Sequence, residues 1–182
     1  MQKTFNYLDK NAAKNVAYEI KKMINKDCVL LFIGTDKCIG DAFAPLVGSL
    51  LESYNLLKNP IFGTIKHPVH ALNINDTVEC IRKIYPKRKI FVIDSMISQK
   101  GKVGDIILLD EGIMPGIAVG KNIAKTGDIS LTLVVSNNER DAINSLTTLR
   151  LNNIYEMAKI VSESIFYAFA DSAYTITSPI LQ

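Results

Sequence analysis

Asp41 and Asp94 stand out among the residues able to do chemistry, because each lies at or just past the carboxyl end of an apolar run. Val29 to Ile33 is continuous and apolar, as buried parallel strands are, and it stops at Gly34. Ile90-Phe91-Val92-Ile93 is a second such run, closed by Asp94. A carboxylate in that place does nothing for packing, and loops at the carboxyl ends of strands in open α/β sheets are where ligands bind. If the two strands are neighbours, their carboxylates converge. Two close carboxylates do not both ionise easily, so one pKa rises and the pair holds a single proton. Such a pair can activate water against an amide and then protonate the leaving nitrogen. Each aspartate also has a structural reading: Asp41 suits a helix N-cap, and Asp94 could bond to loop amides.

Other candidates are weaker. Asp36 could orient Asp41, or close an Asx turn in solvent. Cys38 is a conceivable nucleophile with His67 or His70 as its base, but no cysteine-enzyme signature surrounds it. His67-Pro68-Val69-His70 is extended backbone, where positions three apart face opposite ways. With two histidines in the whole chain, a dedicated zinc site is not expected. The loop from Gly34 to Gly40 feeds a helix and could cradle a phosphate or a peptide on its amides. It lacks the spacing of either nucleotide-binding glycine motif, and Asp41 would repel an anion. The segment from Pro115 through Gly116 and Gly120 to Lys121 carries more glycine than a connection needs, which lets backbone approach a substrate closely.

These residues need a frame. Val16, Ile20, Met23 and Ile24 share one face of a helix within residues 11–25. After the strand from Cys28 to Ile33, Phe43, Leu46, Val47, Leu50, Leu51 and Tyr54 mark a second helix, with Pro45 tolerated in its first turn. A strand is expected at Ile61–Lys66. A helix opened by Asn73 or Asn75 carries Val78, Ile81, Ile84 and Tyr85 and stops at Pro86. Strands follow at Lys89–Met96, Gly104–Asp110 and Asp128–Val135, the last alternating enough to be an edge or half-buried member. From Arg140 the pattern is helical, with Ile143, Leu146, Ile154, Met157, Ile160, Val161, Ile165 and Phe169 expected to be buried and a bend near Asn152-Asn153. Ser172 to Gln182 reads as a frayed tail. Helices alternating with apolar strands argue for a three-layer α/β/α sandwich on a mostly parallel sheet.

At 182 residues and 48% hydrophobic, the chain has material for one sizeable core. A net charge of +3 implies no field for nucleic acid, and no apolar run is long enough to span a bilayer. The first residues hold no hydrophobic block of a signal peptide, and three cysteines without a Cys-x-x-Cys pair suit a reducing compartment. A cytoplasmic protein is expected.

Gly34-Thr35-Asp36 with Gly40-Asp41-Ala42-Phe43-Ala44-Pro45-Leu46-Val47-Gly48, then Phe91-Val92-Ile93-Asp94-Ser95, then Pro115-Gly116 with Val119-Gly120, resemble the sporulation protein YyaC family. The same ordered set is similar to the germination protease of spores and, more weakly, to hydrogenase maturation proteases. The resemblance runs from about Cys28 to Val135 and implies a phosphorylase/hydrolase-like α/β/α fold, with residues 1–182 as one peptidase-like domain. In the germination protease an aspartate of the Asp-Ala-x-x-Pro motif and another at a later strand end are regarded as catalytic. The matching positions are Asp41 and Asp94, with Gly34, Gly40, Pro115, Gly116 and Gly120 placed to hold a peptide. Hydrogenase maturation proteases hold a metal with a later histidine. No histidine follows His70, so neither metal nor cofactor is expected. The resemblance further implies a protein substrate such as a small spore protein, and a location in the forespore or spore interior. Self-association is left open. The alternative is a non-catalytic sporulation protein that binds a peptide or partner in the same cleft.

Overall fold

The computed structural model describes residues 1–54, 58–115 and 124–170. Six strands form one sheet: β1 (Gln2–Asn6), β2 (Cys28–Phe32), β3 (Ile61–Phe62), β4 (Lys89–Ile97), β5 (Asp105–Leu109) and β6 (Ile129–Ser136). Their order across the sheet is β1-β5-β6-β4-β2-β3. β6, β4, β2 and β3 pair in parallel, whereas β5 runs antiparallel to both its neighbours. Five strands therefore point one way and β5 alone points back. Five helices are described: α1 (Ala12–Met23), α2 (Phe43–Tyr54), α3 (Ile74–Ile84), α4 (Ala142–Thr147) and α5 (Leu151–Phe169). The expected mostly parallel α/β/α sandwich is what these elements build.

Strand alternation divides the core in two. Cys28, Leu30 and Phe32 of β2, with Phe91 and Ile93 of β4, pack under α1, α2 and α5. Val29, Leu31, Ile90 and Val92 face the opposite way, onto Ile74 and Ile81 of α3. Arg82 of α3 reaches Asp128 at 2.8 Å, and the same carboxylate accepts the Ile90 amide at 2.8 Å, tying α3, β4 and the entry to β6.

Several expectations need correction. β6 is a central strand buried along its whole length, neither edge nor half-buried. Its alternation is real but satisfied internally, since the Ser130 hydroxyl donates to the Glu111 carbonyl at 2.8 Å. β1 carries one large apolar side chain, Phe5, among polar neighbours, and so escapes pattern reading; β5 supplies its backbone partners. The bend expected at Asn152-Asn153 is a full break three residues earlier, where α4 ends and α5 begins. Ile143 is 69% exposed, because α4 is a short helix whose buried residue is Leu146. The tail from Ser172 lies outside the described residues.

Candidate functional site

The carboxyl edge of the sheet is built from three adjacent strand ends. Phe32 pairs with Ile93, and the next residue, Ile33, donates its amide to the Ile93 carbonyl at 2.8 Å. On its other side Ile33 bridges Val69 in parallel, and the Gly34 amide donates to the Val69 carbonyl at 2.8 Å. Asp94, Ile33 and Val69 thus stand level on three parallel segments, and Gly34 and His70 follow one residue further on. Alternation from Ile90 and Val92 puts the Asp94 side chain on the α3 side of the sheet.

Asp41 arrives from above, on the loop leading to α2. Its backbone is held by Gly34, at φ +149°, where a Cβ would lie 2.0 Å from the Asp41 carbonyl oxygen. Only glycine permits that approach. The Leu46 amide donates to the Ala42 carbonyl at 3.0 Å, so Ala42 occupies the cap position of α2 and Asp41 precedes it. The N-cap reading of Asp41 is thereby overturned, and its carboxylate is left to the cleft. Gly40 is pressed against α4, where a Cβ would meet Leu146 at 2.6 Å.

These segments enclose a cavity of about 360 Å³, lined by Gly34, Asp41, His70, Asp94 and Pro115, with Ile143, Leu146 and Thr147 of α4 closing one side. Cys38 also lines it. Of the residues expected at the site, Asp41, Asp94, Gly34 and Pro115 meet there. Gly40 does not line the cavity, and its amide donates to the Leu146 carbonyl at 2.9 Å. Because the Gly34 amide is also engaged within the protein, neither amide is free to hold a peptide; Gly34 shapes the wall and Gly40 packs behind it on Leu146. Gly116 and Gly120 lie outside the described residues.

Burial sets the electrostatics. Desolvation raises the Asp41 carboxyl from 3.8 to about 6, while hydrogen bonding from the Thr35 backbone and the charge of His70 pull it partly back. Asp94, wholly buried, is pushed well above the ordinary carboxylate range, first by desolvation and then by repulsion from Asp41; the Ser95 amide, donating at 2.8 Å, opposes this. The two groups therefore sense each other, and both hold a proton more tightly than an ordinary carboxyl, Asp94 more so because it is the more deeply buried.

Pattern reading considers His70 only as a partner for Cys38 or a metal. Its nearness to Asp41 comes from the Ile33–Val69 bridge, which no local spacing announces. Among the described residues no three His, Cys, Asp or Glu side chains gather as metal ligands would. No described helix is long and apolar enough to cross a membrane.

Comparison with known proteins places this geometry in a family. A family model described as "Protein of unknown function (DUF1256)" matches residues 4–164. The chain is also 29% identical over 163 residues to a Bacillus subtilis (strain 168) protein named "Uncharacterized protein YyaC", an alignment covering 87% of this chain and 80% of that protein. The match takes in both aspartates, the strands that carry them and most of α5, and the chain belongs to the DUF1256 family.

Proposed function

We propose that this chain is an aspartic-type peptidase-like hydrolase acting on a specific protein of the spore. The observation that carries the reading is the meeting of Asp41 and Asp94 in one cavity, where burial and mutual repulsion raise both carboxyls and Asp94 the more. Environment divides the labour. Asp41 takes a proton from water as the water oxygen bonds to the carbonyl carbon, and the carbonyl π pair moves onto oxygen. When that pair returns, the carbon–nitrogen bond breaks and the leaving nitrogen takes the proton of Asp94. Proton exchange with solvent after product release restores the starting state.

The cavity suits an extended peptide better than a charged metabolite, since Ile33, Ala71, Pro115, Ile143 and Leu146 surround the carboxylates and no Lys or Arg lines it among the described residues. The spore setting, the protein substrate and the spore-interior location rest on the resemblance of the Gly40 to Gly48 run and the Ile93-Asp94-Ser95 strand end to the YyaC family and the germination protease. The test is incubation of the purified protein with an extract of spore proteins, beside an Asp41→Asn, Asp94→Asn double variant, with new termini mapped by mass spectrometry. Termini produced by the wild type alone support hydrolysis and name the target. Identical termini from two folded proteins overturn it.

A further inference from the structure

The proposed reaction needs a donor for the oxygen that becomes negatively charged, and the cavity's backbone does not supply it from the glycines expected to do so. The Gly34 amide is engaged by Val69 and the Gly40 amide by Leu146. Asp41 and Asp94 are occupied with proton transfer. Among the described residues lining the cavity, His70 carries the one side-chain N–H.

His70 is held in a defined state. The Leu72 amide donates to His70 Nδ1 at 3.3 Å, so Nδ1 presents its lone pair and the ring proton resides on Nε2. The backbone beneath it is fixed on both sides. The His70 amide donates to Asn73 Oδ1 at 2.8 Å, and the His70 carbonyl accepts the Asn73 and Ile74 amides, each at 3.0 Å. Asn73 Nδ2 donates in turn to the Pro68 carbonyl at 3.0 Å, clamping the turn into α3. Residues 68–74 therefore form a rigid mount with one ring edge committed to the mount.

We propose that His70, whose Nδ1 is taken by the Leu72 amide, donates through Nε2–H to the carbonyl oxygen of the bound peptide bond and to the oxyanion formed there. This rests on the hydrolytic reading above and adds its electrophilic element. In the attack step the π pair arriving on oxygen is met by the Nε2–H, which stays on nitrogen throughout; no proton is transferred from His70.

Two measurements test it. Long-range proton–nitrogen NMR of the His70 ring at about pH 8, above the ordinary imidazole range, should show Nε2 protonated and Nδ1 bare. A ring protonated on Nδ1 overturns the proposal whether or not hydrolysis is ever found. With a peptide that the wild type cleaves, His70→Ala should lower kcat by roughly 10²–10³-fold with little change in KM. His70→Gln, which keeps an N–H donor, should recover at least tenfold of that loss, with both variants unfolding near the wild-type urea midpoint. Unchanged kcat in His70→Ala, where Asp94→Asn is inactive, overturns the role of His70 alone. Full activity of Asp94→Asn overturns the hydrolytic reading beneath it.

Discussion

Replacing Asp41 by asparagine should shift stability in the variant's favour as pH rises from about 4 to about 7. The folded-state pKa of Asp41 lies above its unfolded value of 3.8, at about 6. Between those values the folded chain binds more protons than the unfolded one, so stability falls as pH rises through this window. At ~1.36 kcal/mol per unit, the wild type loses about 2.4 kcal/mol from this group between about pH 4 and pH 7. The asparagine side chain has no such titration, and the substitution also removes the repulsion that Asp41 exerts on Asp94. Urea unfolding of the two proteins at half-unit pH steps from about 4 to about 8 reads the difference directly. The gap between the curves should widen by about 2.4 kcal/mol, which for a chain of this size is a relative shift in Tm of roughly 5–10 °C. A constant offset of any size, reflecting the amide's own fit, is immaterial. A gap that does not change with pH would refute the argument, since it would mean that Asp41 is as well hydrated in the folded chain as in the unfolded one.

Gly34→Ala should cost ~3 kcal/mol or more, because its Cβ would sit 2.0 Å from the Asp41 carbonyl; thermal unfolding within a degree of wild type would refute that approach. Leu146→Ala should cost about 2–4 kcal/mol in urea unfolding, since the side chain is 7% exposed and fills the space between α4 and Gly40. Cys28 is buried in β2 with its thiol pushed up to about 12 by desolvation, whereas Cys38 is half-buried and Cys80 exposed. A thiol reagent at about pH 8 should therefore modify two of the three cysteines in the folded protein and the third only in denaturant; rapid modification of all three would contradict the burial. If hydrolysis is found, its kcat/KM should follow a bell-shaped pH profile whose acid limb lies near 6, and a flat profile from about pH 5 to 8 would exclude the divided pair.

The carboxylates are legible because buried parallel strands write themselves as unbroken apolar runs. Asp41 and Asp94 interrupt that script where no packing reason exists, and β2 and β4 are indeed neighbours. β6 is not legible in the same way, because Ser130 and Thr132 look like solvent-facing residues when only the chain is read. Their surroundings come from segments distant in sequence, such as the Glu111 carbonyl. The α4–α5 break falls at Thr148-Leu149-Arg150, which has neither proline nor glycine to mark it, so one helix with a bend is the natural expectation. The exposure of Ile143 has the same cause, because a long helix would have turned it inward. His70 joins the cleft through a single bridge beyond the end of β2. Such tertiary adjacency leaves no period in the sequence.

The placement of α5 has a consequence for how the protein is made. This last helix packs on both α1 and α2, sets Phe169 against Phe91 and Phe166 against Tyr54, and completes the layer that covers β2 and β4. On the ribosome the sheet is translated long before its cover. At roughly 5–20 residues per second, the interval between Phe32 and Phe169 is on the order of ten seconds. During that interval Leu30 and Phe32, joined partway by Phe91 and Ile93, present an apolar face with no helix α5 to meet it. A chain ending before Leu151 would carry both aspartates yet leave the part of this face that α5 covers open to solvent.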